Sequence, residues 1–313
     1  MKKSPGKPAR KKDLFSRTSQ LVTFDDWLQL AVELYEREKV GLGQVTDIAQ
    51  DEALYLLLRT LELPLDSKPV ILDRKLNQRE ITKVKDVLRR RIVDRVPAAY
   101  ITREAFLGEH RFYVDERTII PRSYFLEIIP EQLDQWLPDP KKVRHVVDVC
   151  TGSGCLAILL ADHFPKAKVD AIDLSRDALE IAKINLKEHK LAKRIALFES
   201  DVFDAVPQQK YDVILSNPPY EPSAHVDSMP DEFHKEPRMS LDGGKDGLNI
   251  IRKLLRQSRD RLQPHGIVMI EVGGLREAMD REFAKLEPHW LHTADGSDCV
   301  CVINAKRLKS AKL

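Results

Sequence analysis

The spacing of apolar residues changes near the end of the first third of the chain. Before that point, apolar residues recur three and four positions apart in three stretches, which is the spacing of amphipathic helices. We expect Thr23 to cap the first helix, Thr46 to begin the second, and Asn77 with Glu80 to form a capping box for the third. The pattern therefore predicts a small helical domain over residues 19–96.

Two short apolar triplets follow, at residues 105–107 and 112–114, on either side of Gly108 and Glu109. Two apolar runs around a glycine turn are typical of a β-hairpin. We therefore expect residues 97–122 to form a β-hairpin linker. A helix over about residues 124–136 then opens the second predicted domain.

From residue 143 onward, short apolar runs alternate with longer helical patterns. We predict strands at residues 146–149, 168–172, 195–198, 213–215 and 267–272, and a final pair near residues 290 and 299–303. Ser175 is expected to cap the helix that follows the second strand. This alternation indicates an α/β fold over residues 123–313, with a mostly parallel, doubly wound sheet.

Composition adds a few limits. The length of 313 residues exceeds that of a usual single domain, and no apolar run approaches the ~20 residues of a membrane span. The formal charge of +2 does not favour gross polyanion binding. Residues 1–18 are rich in Lys and Arg and lack apolar periodicity, so we expect a disordered basic arm. Contact with RNA and a merely solubilising role suit this arm equally.

The four cysteines are Cys150, Cys155, Cys299 and Cys301. Neither pair has the spacing of a zinc site, and we expect no bound metal. Reduced thiols in the core of a cytoplasmic protein are the favoured interpretation.

The strand predicted at residues 213–215 runs directly into the tetrapeptide Asn217, Pro218, Pro219 and Tyr220. The prolines cannot continue a β-ladder, so a rigid loop is expected at the carboxyl end of a buried strand, where open α/β sheets bind ligands. The side-chain carbonyl of Asn217 and the backbone carbonyl of Pro218 are two adjacent acceptors that suit a planar –NH2 group. Tyr220 offers a flat face for stacking. The loop therefore predicts a site for an amide or an aromatic amine.

A glycine turn after the first strand supplies a second part of the site. It consists of Cys150, Thr151, Gly152, Ser153 and Gly154. Glycines allow close approach of a ligand to the backbone, and N–H groups at the start of the following helix face that ligand. The turn lacks the G-x-G-x-x-G spacing of a dinucleotide loop.

Three aspartates stand at the ends of successive strands and complete the expected nucleotide site. Asp173, 25 residues after Asp148, lies where an acidic residue binds a ribose diol. Asp148 suits the hydration network around a cationic amino-acid group, and Asp201 can accept a hydrogen bond from an adenine amine. An adenosine that carries a positively charged methionine fits all three, so the sequence predicts S-adenosylmethionine as cofactor.

With these motifs the chain resembles the HemK/Prm family of protein-glutamine methyltransferases over nearly all of residues 80–304. The resemblance rests on residues 106–108, 120–122, 148–154, 173, 217–220, 236–237 and 243–248. It implies a class I, Rossmann-like methyltransferase sheet with a small helical substrate-recognition domain at the amino terminus. Residues 150 and 229–236 look like the branch that methylates a glutamine of large-subunit ribosomal protein three. Enzymes for release factors usually carry glycine at the position of Cys150.

Roles follow from the resemblance residue by residue. It implies that the turn at residues 150–154 and Asp173 hold the cofactor, and that residues 217–220 hold the glutamine amide. Asn217 is counted with the cofactor site as well. Val202 stands where the enzymes for release factors often carry an aromatic residue, and we count it with Asp201 in the cofactor site. Arg122 is counted with the substrate site, its alternative being a solvated charge.

The expected mechanism is in-line displacement of an activated methyl group, in which the protein supplies alignment and removes water. No general base is assigned, and His225 and His234 are expected on the loop surface. Three other functions stay open: the same reaction on release factors, amino-methylation of adenine or cytosine in nucleic acid, and a ribosome-assembly module that retains the cofactor only structurally.

Overall fold

The computed structural model describes residues 14–16 and 18–311 and divides the chain into two compact units. We call Met1–Thr102 the helical unit and Arg103–Leu313 the sheet unit. The sequence places boundaries at residues 96 and 122 instead. Of the expected arm, residues 1–13 and 17 lie outside the described residues. Leu14 and Phe15 pack against the core of the helical unit, so a disordered arm that extends to residue 18 is wrong at these two positions.

The helical unit contains α1 (Phe24–Arg37), α2 (Ala49–Thr60), α3 (Gln78–Ile92) and α4 (Ala98–Thr102). The predicted cap at Thr23 and the predicted capping box of Asn77 with Glu80 are confirmed, and Thr23 also forms a capping box, with Asp26. The predicted start of the second helix at Thr46 is wrong. The Thr46 hydroxyl accepts the N–H of Ile48 at 3.2 Å and forms a local turn ahead of the helix.

The core of this unit encloses an ion pair. Arg91 on α3 and Glu52 on α2 are both buried, with Nε 2.6 Å from Oε1 and Nη2 3.2 Å from Oε2. Arg91 also donates to the carbonyl oxygen of Gly41 at 2.6 Å. Since an unpaired buried charge is costly, these contacts link two helices and a loop into one arrangement.

The sheet unit begins with a hairpin of β1 (Ala105–Leu107) and β2 (His110–Phe112), followed by α5 (Phe125–Glu131). The two-residue turn at Gly108 and Glu109 is confirmed, but the second strand predicted at residues 112–114 is wrong. A two-residue turn pairs the residues that flank it, and Leu107 therefore pairs with His110. The helix predicted over 124–136 is divided in the structure: α5, with Pro130 in its last turn, ends at residue 131, and a 3₁₀ helix covers Leu133–Trp136.

The rest of the unit alternates strands and helices. In order these are β3 (His145–Val149), α6 (Cys155–His163), β4 (Lys168–Asp173), α7 (Arg176–Glu188), β5 (Ile195–Glu199), β6 (Tyr211–Ser216), α8 (Ser223–Ser228), α9 (Asn249–Arg261), β7 (Leu262–Glu271), α10 (Arg276–Glu282), β8 (His289–Leu291), β9 (Val300–Asn304) and α11 (Ala305–Ser310). Ser175 caps α7 as predicted.

The seven strands after the hairpin form one sheet in the order β5-β4-β3-β6-β7-β9-β8. The first five are parallel, and β9 runs antiparallel to both of its neighbours. The mostly parallel α/β sheet predicted from the sequence is therefore confirmed. The strand order reverses between β3 and β6, and ligands bind at such switch points. Among the described residues, no helix combines the length and apolar content needed to cross a bilayer.

Candidate active site

A cavity of about 360 Å³ lies at the carboxyl ends of the parallel strands, at the switch point between β3 and β6. Its volume falls within the usual range of small-molecule sites. The register pairs Val149 with Ser216, so the turn after β3 and the loop after β6 are neighbours. Most of the predicted site residues line this cavity: Arg122, Cys150, Thr151, Gly152, Ser153, Asp173, Asp201, Val202, Asn217, Pro218, Pro219 and Tyr220.

The turn after β3 has a left-handed backbone at three positions: Cys150, Gly152 and Gly154, with φ of 65°, 53° and 82°. This conformation favours glycine, and Cys150 is the one residue of the three that is not glycine. Gly154 begins α6, and a Cβ there would lie 3.2 Å from Cβ of Ala182. Close packing of α6 on α7 therefore requires a glycine at this position.

Asp173, at the end of β4, is tied to this turn. Its two carboxylate oxygens accept the backbone N–H groups of Gly152 and Ser175, each at 2.8 Å. Burial raises the pKa of Asp173, and these two hydrogen bonds oppose that rise. Asp173 also lines the cavity, and a carboxylate offers about four acceptor positions in all.

Asp148 lies behind the turn rather than on the cavity wall. Its side chain is fully buried, and the Thr151 hydroxyl donates to it at 2.5 Å. Burial raises the pKa of Asp148 to about 7, and the bond from Thr151 opposes that effect. Gly154 is likewise not part of the lining. Asp148 therefore shapes the turn through Thr151, and the structure does not bring its carboxylate into the cavity.

Asp201 and Val202 follow β5, the strand that borders β4 on the side away from β3. Lys253 on α9 places Nζ 2.6 Å from Asp201 and 2.5 Å from Asp204, an ion pair that the sequence did not reveal. Val202 is buried and has a φ of 54°. A β-branched residue in the left-handed region is strained by about 1–3 kcal/mol, and such strain concentrates at functional sites.

Glycines support the Asn-Pro-Pro-Tyr loop (residues 217–220) from two sides. A Cβ on Gly243 would lie 2.7 Å from the Pro219 carbonyl oxygen, and one on Gly247 would overlap the Tyr220 carbonyl. A Cβ on Gly273 would lie 2.5 Å from the Tyr220 ring. These contacts explain why the 243–248 motif accompanies the loop. Burial raises the pKa of the Tyr220 hydroxyl, which keeps it protonated.

Two sequence motifs that lie far apart along the chain meet at Arg122. Its guanidinium forms a bidentate pair with Glu236, at 2.7 and 2.8 Å, and lies over the ring of Phe233. Glu236 also accepts the backbone N–H of Ile120 at 2.9 Å. Arg122 lines the cavity, but its guanidinium is already ion-paired with Glu236. The arrangement fixes the 229–242 segment against the chain that precedes α5.

Glu271, which sequence analysis missed, lies beside the loop at the end of β7. It is 3% exposed and accepts hydrogen bonds from the Ser123 hydroxyl at 2.5 Å and the Tyr124 N–H at 3.1 Å. Burial raises its pKa to about 7, and these hydrogen bonds, the charge of Arg122 and a bond from Asn217 lower it. The sequence did contain a signal for Glu271, because this residue lies at the end of a predicted strand next to the Asn-Pro-Pro-Tyr loop.

The residues present fit an adenosine-containing cofactor. One wall carries the turn after β3 and the remaining acceptor sites of Asp173 and Asp201, which suit a ribose and an adenine amine. Apolar side chains also line the cavity, including Leu174, Val202 and Ile250. The cavity continues from there to the Asn-Pro-Pro-Tyr loop, so a cofactor and an amide substrate can occupy one connected space.

Comparison with known proteins places this geometry in context. The family model described as the methyltransferase small domain matches residues 131–244. The ribosomal protein uL3 glutamine methyltransferase of Burkholderia pseudomallei is 45% identical over 293 residues, covering 91% of this chain and 95% of that protein. The protein of the same name from Neisseria gonorrhoeae is 40% identical, covering 94% and 99%.

Among solved structures, the hMettl16 catalytic domain in complex with a MAT2A 3′UTR hairpin superposes with a TM-score of 0.50. The two chains share 14% sequence identity, and the match covers 82% of this chain and 91% of that one. At this level of identity the likeness concerns the fold alone.

Proposed function

The chain belongs to the family of ribosomal protein uL3 glutamine methyltransferases, and we propose that it methylates the side-chain amide of a glutamine in uL3, the large-subunit ribosomal protein three. Membership confirms the class I methyltransferase fold, the enzymatic activity on protein glutamine and the cofactor S-adenosylmethionine, all expected from the sequence. The reaction is proposed to occur in the cytoplasm, where ribosomal proteins are made.

One observation carries the chemistry: the Asn-Pro-Pro-Tyr loop and the glycine turn lie side by side on adjacent strands and line one cavity. S-adenosylmethionine, when bound, supplies a methyl group activated by a sulfonium charge. We propose that the turn at residues 150–154, Asp173, Asp201 and Val202 hold this cofactor. Asp148 supports the turn from behind through its bond with Thr151.

On the substrate side, Asn217 Oδ1 and the Pro218 carbonyl would accept the two hydrogens of the glutamine –NH2 group. Those two bonds direct the nitrogen lone pair toward the methyl group, while the Tyr220 ring covers one face of the amide. Holding both reactants in line accounts for a large part of such a rate enhancement. His225 is given no part in proton transfer, since it is exposed and pairs with Glu221 at 2.5 Å.

The acidic excess of the loop over residues 221–246 supports the choice of substrate less strongly than the sequence suggested. Residues 221–246 contain seven acidic and three basic side chains, an excess that would favour a basic ribosomal protein over phosphates. In the structure Glu236 is paired with Arg122, and Glu232 is 1% exposed. The remaining surface excess is smaller, and family membership supports uL3 more strongly than charge does.

Two roles outside the cavity belong to the proposal. All lining residues of the cavity fall between 117 and 250, within the sheet unit. We therefore assign recognition of the substrate protein to the helical unit. Contact between the basic arm and ribosomal RNA is proposed from composition alone.

A labelled-methyl assay tests the substrate assignment. Free uL3, a release factor and naked DNA are offered in parallel with labelled S-adenosylmethionine, and peptide mapping locates the label. We expect label on a uL3 glutamine, much slower transfer to the release factor and none to DNA. Label mainly on the release factor would contradict the substrate, and label on DNA would contradict amide chemistry. Asn217→Ala is the control variant, expected to bind cofactor but not to transfer the methyl group.

A further inference from the structure

Glu271 stands directly beside the residue that is proposed to hold the substrate amide. The parallel register of β6 and β7 pairs Ser216 with Ile270, so the next residues, Asn217 and Glu271, are neighbours. Glu271 is almost completely buried. A buried carboxylate is costly unless it is hydrogen-bonded, so the donors around Glu271 matter.

The donors to Glu271 all come from segments that line the substrate end of the cavity. They are the Ser123 hydroxyl and the Tyr124 N–H, and the side-chain amide of Asn217 lies beside the same carboxylate at the neighbouring strand end. Asn217 also directs Nδ2 to the carbonyl oxygen of Arg122, 3.4 Å away. The –NH2 group of Asn217 therefore lies near two acceptors of the protein, the Arg122 carbonyl and the Glu271 carboxylate. Its Oδ1 is left to face the cavity that Asn217 lines.

We propose that Glu271 is a positioning residue that fixes the carboxamide of Asn217, so that Oδ1 and not the –NH2 group meets the substrate. The ionised form of Glu271 only accepts hydrogen bonds, so that form selects one of the two amide orientations. With the amide reversed, two donors would face two donors, and the substrate bond would be lost. The inference rests on the proposed function and adds a residue to its substrate site.

Glu271→Gln tests this role because it preserves shape while supplying a donor as well as an acceptor. We expect a loss of about 10- to 100-fold in kcat/KM for a glutamine peptide of uL3, the effect of losing a hydrogen bond in the transition state. The affinity for S-adenosylmethionine, measured by calorimetry, should stay within about twofold of wild type. Loss of cofactor affinity in parallel would overturn the proposal, as would unchanged kcat/KM.

A double-mutant cycle separates positioning from general support of the fold. Peptide affinity is measured by calorimetry with S-adenosylhomocysteine present, in wild-type and Asn217→Ala backgrounds. If Glu271 acts through Asn217, Glu271→Gln weakens binding in the first background and adds less than about twofold in the second. Equal losses in both backgrounds would contradict the proposal.

Asp212→Asn is the matched control. Asp212 is also a buried carboxylate on the same sheet, but it lies at the opposite end of β6 and accepts the N–H groups of Arg144 and His145 at 2.8 and 3.0 Å. Its replacement should leave both peptide and cofactor binding unchanged. Wild type must first methylate the uL3 peptide on glutamine, and failure at that step would contradict the proposed function rather than the role of Glu271.

Discussion

Two carboxylates at this site, those of Asp148 and Glu271, are buried. Burial raises the pKa of both Asp148 and Glu271 to about 7. For each, the folded state therefore binds a proton more tightly than the unfolded chain. The resulting stability is fully present below the ordinary pKa of a carboxyl and is lost as pH rises through about 7. The enzyme thus carries a stability cost at neutral pH in exchange for ordered turns.

Asp148→Asn should remove part of that cost, because an amide keeps the acceptor for Thr151 without a buried charge. Relative to wild type, its free energy of unfolding should increase between about pH 4 and pH 7, by on the order of a few kcal/mol. Urea unfolding at several pH values measures this. A difference between the two proteins that does not vary with pH would show that folding does not raise the pKa of Asp148.

Asp173→Ala should weaken S-adenosylmethionine binding by roughly 10- to 100-fold, the usual effect of losing a hydrogen bond to a charged group. The carboxylate also anchors Gly152 and Ser175, so part of the loss reflects a looser turn. Calorimetry gives the affinity. Asp177→Ala, on the exposed first turn of α7, is the control that should bind normally. Unchanged affinity in Asp173→Ala would remove Asp173 from the cofactor site.

At the scale of elements, local features were predictable and contacts between distant segments were not. The capping boxes at Thr23 and Asn77 involve residues three apart, so their pattern is visible in the sequence. The pairs Arg122–Glu236 and Ser123–Glu271 join residues 114 and 148 positions apart, and no local signal links them. The prediction that Thr46 starts a helix was wrong because its hydroxyl accepts the N–H of Ile48 and forms a turn instead.

The strand-end rule explains why the candidate site was nevertheless largely predictable. Parallel strands bring their carboxyl ends to one edge, so the turn after β3, Asp173 and the Asn-Pro-Pro-Tyr loop had to converge. The rule does not say whether a side chain at that edge reaches the cavity or is buried behind it. Asp148 stands on a strand that ends at the same edge, but its side chain is buried behind the turn, as only the packed structure reveals.

The packing of one loop on another gives a test at this scale. Gly273 has a φ of 50°, and a Cβ there would lie 2.5 Å from the Tyr220 ring. Gly273→Ala should displace the ring and lower methyl transfer by about 100-fold, as misplacements near 1 Å can do, with cofactor affinity retained. Steady-state kinetics and calorimetry measure the two effects. Gly274→Ala, where a Cβ meets nothing within 4 Å, should behave as wild type; comparable losses in both variants would contradict a role of the Tyr220 contact.

At the scale of the whole molecule, the role of the basic arm in substrate binding can be tested by truncation. Because Leu14 and Phe15 pack against the helical core, a clean truncation should end at residue 12 and leave them in place. Residues 1–12 include Lys and Arg but no acidic residue. Their removal therefore changes charge without removing the described packing.

Truncation of residues 1–12 should leave the rate on isolated uL3 unchanged. If the arm contacts ribosomal RNA, activity on assembling ribosomal particles should fall steeply with salt in wild type and less steeply in the truncated protein. A same-length arm with glutamine in place of each Lys and Arg separates charge from length. Identical salt curves for all three proteins would leave the arm as a solubilising tail.

Mass spectrometry of uL3 from cells is the most direct test of methyl transfer to a glutamine side chain of uL3. In cells that lack this chain, one glutamine-containing peptide of uL3 should be lighter by one methyl group than in the parent strain. Re-expression of the wild-type chain should restore that methyl group, and Asn217→Ala should not. Identical uL3 peptides in the two strains would contradict the claim.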